Sequence, residues 1–112
     1  MADAPAVNVV KDFDSLGDFE KKHTPFITLE PSGDRTLVNI EVGHLVPHPQ
    51  GADHFIGWIE LLANGSPIVR FDLSPDVTFP RFCVPVVLPA GTVLRAIESC
   101  NLHGLWAYEA TI

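Results

Sequence analysis

Five histidines and two cysteines are spread unevenly over the 112 residues of this chain. Cys100 and His103 stand close together in the stretch CNLHGLW. His44, His48 and His54 share one segment, GHLVPHPQGADH, and His23 precedes the run TPFITLE. Imidazole and thiolate are ligands for zinc, copper and iron. A lone histidine is ordinarily solvated or satisfied in a core, so the grouping carries the weight. Structural zinc takes four ligands, most often with cysteines in close pairs, and one cysteine outside the strands is thin for that. Blue copper adds a weak axial methionine, and Met1 is the only methionine. Four imidazoles and one thiolate would fill five positions of an octahedron and leave the sixth open. An open position marks a catalytic metal.

Those side chains meet only if the chain brings their loops to one rim. After His23 the sequence reads as strands. Val38, Ile40 and Val42 alternate with Asn39 and Glu41, the mark of a half-buried strand. HFIGWIELLA and PIVRFDL flank Asn64-Gly65 and predict a hairpin. FCVPVVL and TVLRAIES flank Pro89-Ala90-Gly91 and predict another. Pro85 places FCVPVVL at an edge or a bulge. GLWAYEATI closes the chain. The expectation is an all-β, antiparallel sandwich of about seven strands with a short N-terminal helix or arm. Residues 1–17 read as that arm, loose over 1–11, with a short helical stretch in Asp12–Lys22 weakened by Gly17. Cys83 reads as a buried core thiol. His44 reads as surface, Trp58 and Trp106 as rim or core aromatics, and Glu41, Glu60 and Glu98 as solvated faces.

Composition narrows the function. Hydrophobic residues are 46% and charged residues 19%, a globular balance, and 112 residues fit one domain. The net charge of −7 argues against nucleic acid as a partner. It also means that an anionic substrate needs a local cation. No run approaches a membrane span or a signal peptide. Two cysteines make no disulfide framework, and a reducing, cytoplasmic setting is the expectation.

Three fragments together carry a resemblance. They are Lys22-His23-Thr24-Pro25, then His48-Pro49-Gln50 with His54 and Ile56, then Cys100-Asn101-Leu102-His103-Gly104. In this order over residues 18–112 the chain resembles superoxide reductase, specifically the one-iron form, neelaredoxin. The resemblance implies an immunoglobulin-like sandwich and one mononuclear iron (Fe2+/Fe3+) per chain. It implies His23, His48, His54 and His103 as equatorial ligands and Cys100 as axial thiolate. The implied reaction is one-electron reduction of superoxide to hydrogen peroxide, a detoxification under oxidative stress. Lys22 would attract the anion, and the N–H groups of Leu102 and His103 would point at the sulfur. A rubredoxin-like electron donor and a homotetramer are implied as well. Residues 1–112 would form a single iron-binding domain. With no cysteine before Cys83, the four-cysteine iron domain of the other family form is not expected.

Two positions depart from the family pattern. Lys21 stands where most members have the Glu that can take the sixth iron position, and Glu20 lies one place further back. Gln50 replaces the usual Met, which implies a change in packing around the ligands. Two other readings compete. One is a cupredoxin-like electron carrier, which the missing methionine and surplus histidines disfavour. The other is a metal-free sandwich acting as a binding module.

Overall fold

The computed structural model describes residues 6–112, so the first five residues of the expected arm lie outside the described part. Eight strands form among the described residues: β1 (Val7–Val10), β2 (Pro25–Ser32), β3 (Arg35–Val42), β4 (Ile56–Ala63), β5 (Ser66–Asp72), β6 (Arg81–Val86), β7 (Val93–Cys100) and β8 (Gly104–Thr111). A 3-10 turn at Phe13–Ser15 and the helix α1 at Asp18–His23 precede β2. The strands make two sheets, ordered β1-β8-β7-β4-β5 and β2-β3-β6. The sheets face each other as an all-β sandwich.

The core follows from the period-two alternation of each strand. Val38, Ile40 and Val42 of β3 face Ile59 and Leu61 of β4 and Leu94 and Ala96 of β7 in one buried cluster. Leu94 is fully buried at the end of β7 opposite Cys100. Leu94→Ala should therefore cost about 2–5 kcal/mol, through lost transfer energy and the cavity left behind. Urea denaturation measures it, and a loss below about 1 kcal/mol would contradict this packing.

Four readings change. Val7–Val10, inside the expected arm, is a strand paired in parallel with β8, so the sandwich is not wholly antiparallel. β6 and β7 are not a hairpin: β6 pairs with β3 and β7 with β4 and β8, so their connection crosses between sheets. Cys83 is exposed, not buried. β6 turns Phe82 and Val84 toward the core, which sends the residue between them outward. Glu98 is fully buried, not solvated. It shares its parity with Leu94, Ala96 and Cys100, the inward face of β7. The expected β4–β5 hairpin is present, and β6 is an edge strand, which suits Pro85.

Strand register places every histidine-bearing loop at one rim. Pro25 pairs with Val42, so His23 and the β3–β4 connection leave the same edge. Ile56 pairs with Cys100, so the end of that connection meets the end of β7. Cys100 pairs with Gly104 across the turn that carries His103.

Candidate metal centre

α1 delivers His23. Asp18 and Glu20 lie in its first turn and Lys21, Lys22 and His23 in its last, the distribution the helix dipole favours. The helix ends at Thr24 because a residue before proline avoids the helical region. Thr24 is extended (φ −77°, ψ 124°), and its hydroxyl donates to the Glu20 carbonyl at 2.7 Å. His23 is thereby buried completely. Its Nδ1 donates to the Phe19 carbonyl at 2.7 Å, which leaves the Nε2 lone pair facing inward. His48 is fixed the same way, Nδ1 to the Pro49 carbonyl at 2.5 Å. Such carbonyl partners orient metal-binding histidines generally.

The second half of the site is the β7–β8 turn. Gly104 sits at φ +81°, a left-handed conformation that lets the chain reverse directly after His103. The Trp106 indole donates to the His103 carbonyl at 3.1 Å. Trp106 also stacks on His23, with centroids 5.2 Å apart.

The five side chains converge. His23 Nε2 lies 3.0 Å from His103 Nδ1. Cys100 Sγ lies 3.5 Å from His48 Nε2 and 3.8 Å from His103 Nδ1. His54 centres its ring 4.6 Å from His48 and 5.0 Å from His103. The ligand atoms of His23, His54, Cys100 and His103 all lie within 4.8 Å of one another. His54 Nε2 is buried with no hydrogen-bond partner. Buried polar atoms are ordinarily paired, and a cation among these donors would pair this one. Burial lowers the pKa of His23 and His54 and pushes His48 down to about 4, so these rings are neutral ligands at neutral pH. Burial raises the Cys100 thiol, while the N–H groups of Leu102 and His103 draw it back toward thiolate. Neutral imidazoles with one thiolate suit iron, copper or zinc, so the residues fit a bound transition metal.

Other candidates take distinct places. Lys22 is half-buried, and its charge helps lower the pKa of His23, His48 and His54, so it stands beside the site. Glu20 folds back instead: its Oε2 lies 3.1 Å from where a Cβ on Gly17 would sit. His44 stays on the surface, paired with Glu41 at 2.6 Å and stacked on Phe26.

Two residues near the site were not read as part of it from the sequence. Phe19 is 47% exposed, yet its ring lies 4.5 Å from the buried His23 and 5.0 Å from His103, centroid to centroid, and covers His23 while His103 stays exposed. Its position one helical turn before His23 is a usable signal. Glu98, two residues before Cys100, has both carboxylate oxygens unpaired. Burial pushes its pKa up to about 9, so it is held as a neutral acid under the site.

Comparison with known proteins gives concordant results. The profile of the desulfoferrodoxin family matches residues 15–109. The superoxide reductase of Pyrococcus abyssi is 35% identical over 114 residues, covering 93% of this chain and 99% of the relative. The solved superoxide reductase of Nanoarchaeum equitans superposes with a TM-score of 0.76 at 33% identity, covering 82% of this chain and 94% of that one. The superoxide reductase (neelaredoxin) of Ignicoccus hospitalis gives 0.69 at 35% identity, covering 80% and 79%.

Proposed function

The chain belongs to the desulfoferrodoxin family, among the superoxide reductases, and from that premise we propose a one-iron superoxide reductase. The reaction is superoxide plus one electron and two protons giving hydrogen peroxide. His23, His48, His54, His103 and Cys100 hold a single iron. The observation that supports this is the gathering of the His23, His54, Cys100 and His103 donors within 4.8 Å of one another, with His48 Nε2 3.5 Å from Cys100 Sγ and the buried Nε2 of His54 unpaired. A ferrous iron held there would supply the electron.

The chain's own groups do the rest. Neutral imidazoles keep the site from repelling a cation. The N–H groups of Leu102 and His103 hold negative charge on Sγ. Phe19 and Trp106 cover His23 on two sides and limit water there. Lys22 answers the net charge of −7 by attracting superoxide locally. Glu20 is the weaker candidate: a sixth ligand at this residue needs α1 to rearrange, because its carboxylate lies back over Gly17.

The electron must be replaced by an external one-electron donor, for which a rubredoxin-type carrier fits. We place residues 1–112 in one functional domain, acting in a reducing cytoplasm as a homo-oligomer. No helix among the described residues is long and apolar enough to cross a membrane.

Two tests apply. Purified protein should bind one iron per chain and consume superoxide without releasing dioxygen. Copper at one per chain would favour a cupredoxin-like carrier, and no metal after reconstitution would favour a binding module. Lys22→Ala should slow the reaction with superoxide by about tenfold, and more at low salt, where unscreened steering is strongest. Unchanged stopped-flow rates at both salt concentrations would remove Lys22 from the mechanism.

A further inference from the structure

We propose that Gln50 is a positioning residue: its side-chain amide clamps the His54 loop to the strand opposite Cys100 and so sets how firmly the iron is held. This deepens the iron reading above and rests on it.

Gln50 is only 6% exposed. Its Oε1 accepts the Ile56 N–H at 2.9 Å, and its Nε2 donates to the Ile56 carbonyl at 2.9 Å. One planar amide thus makes both bonds of a β-ladder rung with a single residue. The clamp closes residues 50–56 into a ring that contains His54. Inside that ring the Gly51 N–H donates to the His54 carbonyl at 3.0 Å.

Ile56 is also the residue opposite Cys100 in the β4–β7 ladder. Gln50 itself lies two residues after His48. A single side chain therefore ties the segments that carry His48, His54 and Cys100. Asn101 grips the same loop from the other side. It accepts the Phe55 N–H at 2.8 Å and donates to the Asp53 carbonyl at 3.0 Å. A methionine at this position would offer no donor and only a weak sulfur acceptor, so it could not make the Gln50 clamp. Here the firmness of the loop depends on a bond pair that such a residue cannot supply.

The test compares ferrous wild type with Gln50→Met and Gln50→Glu. Gln50→Glu keeps the acceptor toward the Ile56 N–H and loses the donor. Thr92→Val serves as control, because it removes a buried hydroxyl's 2.7 Å bond to the Pro89 carbonyl in the connection between β6 and β7. Iron release into a ferrous chelator, the visible band of the oxidised protein and the melting temperature of the metal-free protein are read for each. Gln50→Met should release iron roughly 10–100-fold faster, as losing an outer partner of a metal site does. Its band should shift, and Gln50→Glu should fall between it and wild type. Thr92→Val should lower the melting temperature while releasing iron at the wild-type rate. Wild-type release and an unshifted band in Gln50→Met would overturn the clamp. So would fast release in Thr92→Val, which would reduce the effect to general stability. A wild type that takes up no iron would instead sink the iron reading, and this inference with it.

Discussion

Replacing Cys100 with serine should erase the visible thiolate-to-iron band of the oxidised protein and cut superoxide reduction at least ~100-fold. That is at or above the upper end of what losing an outer partner alone costs, about 100-fold. The change in size is small. Cys100 is 3% exposed between Ile56 and Gly104 on the inward face, where a hydroxyl fits with little repacking. The change in chemistry is large. A thiolate is a soft, strongly donating ligand, and the Leu102 and His103 N–H groups are already aimed at it. A serine there stays protonated and offers a hard, weak oxygen. The fold should survive, so far-ultraviolet circular dichroism should match wild type. Retention of the band would place the coloured ligand elsewhere and contradict the assignment of Cys100.

Gly43→Ala should be nearly as damaging, although Gly43 is no ligand. Gly43 adopts φ +84°, in the left-handed region where a Cβ is strained. A Cβ there would also lie 2.6 Å from the His48 backbone nitrogen and 3.2 Å from the Pro47 Cα. Backbone cannot swing aside as a flexible side chain does, so the 43–48 turn must shift and carry His48 away from Cys100. Iron affinity should fall roughly 10–100-fold, the range seen when a ligand loses its orientation. A competition titration with a metal chelator measures it. Gly104→Ala is the informative comparison. That residue is also at positive φ (+81°), but a Cβ there has nothing within 4 Å, so strain acts without collision. Equal losses in the two variants would show that strain alone matters and that the collision with His48 does not.

Much of the fold was legible because strands announce their faces locally. The alternation of Val38, Ile40 and Val42 matches the buried face of β3, and Asn64-Gly65 joins β4 to β5. Sheet membership was not legible. A turn at Pro89-Ala90-Gly91 looks alike whether the next strand pairs beside β6 or crosses to the other sheet, and only long-range pairing decides. The strand at Val7–Val10 escaped for a related reason, since its partner β8 lies almost a whole chain away. Residue type misled where parity would have served. Glu98 has the parity of Cys100 and is buried, while Cys83 has the opposite parity to Phe82 and Val84 and is exposed.

At the site, the side chains that carry chemistry were visible as residue types at telling spacings, and the structure brings His23, His48, His54, Cys100 and His103 to one rim. What holds them there was not visible. The Phe19 carbonyl that orients His23, the close approach of Gly43 to His48 and the Gln50 clamp depend on backbone geometry. A string of side-chain identities does not encode that geometry directly.

X-ray absorption at the iron edge, on purified protein reconstituted with ferrous iron, tests the central claim most directly. One iron per chain surrounded by four imidazole nitrogens and a single sulfur is the result this structure predicts. A first shell without sulfur, or one with two or more, would mean that the rim does not close around iron as described.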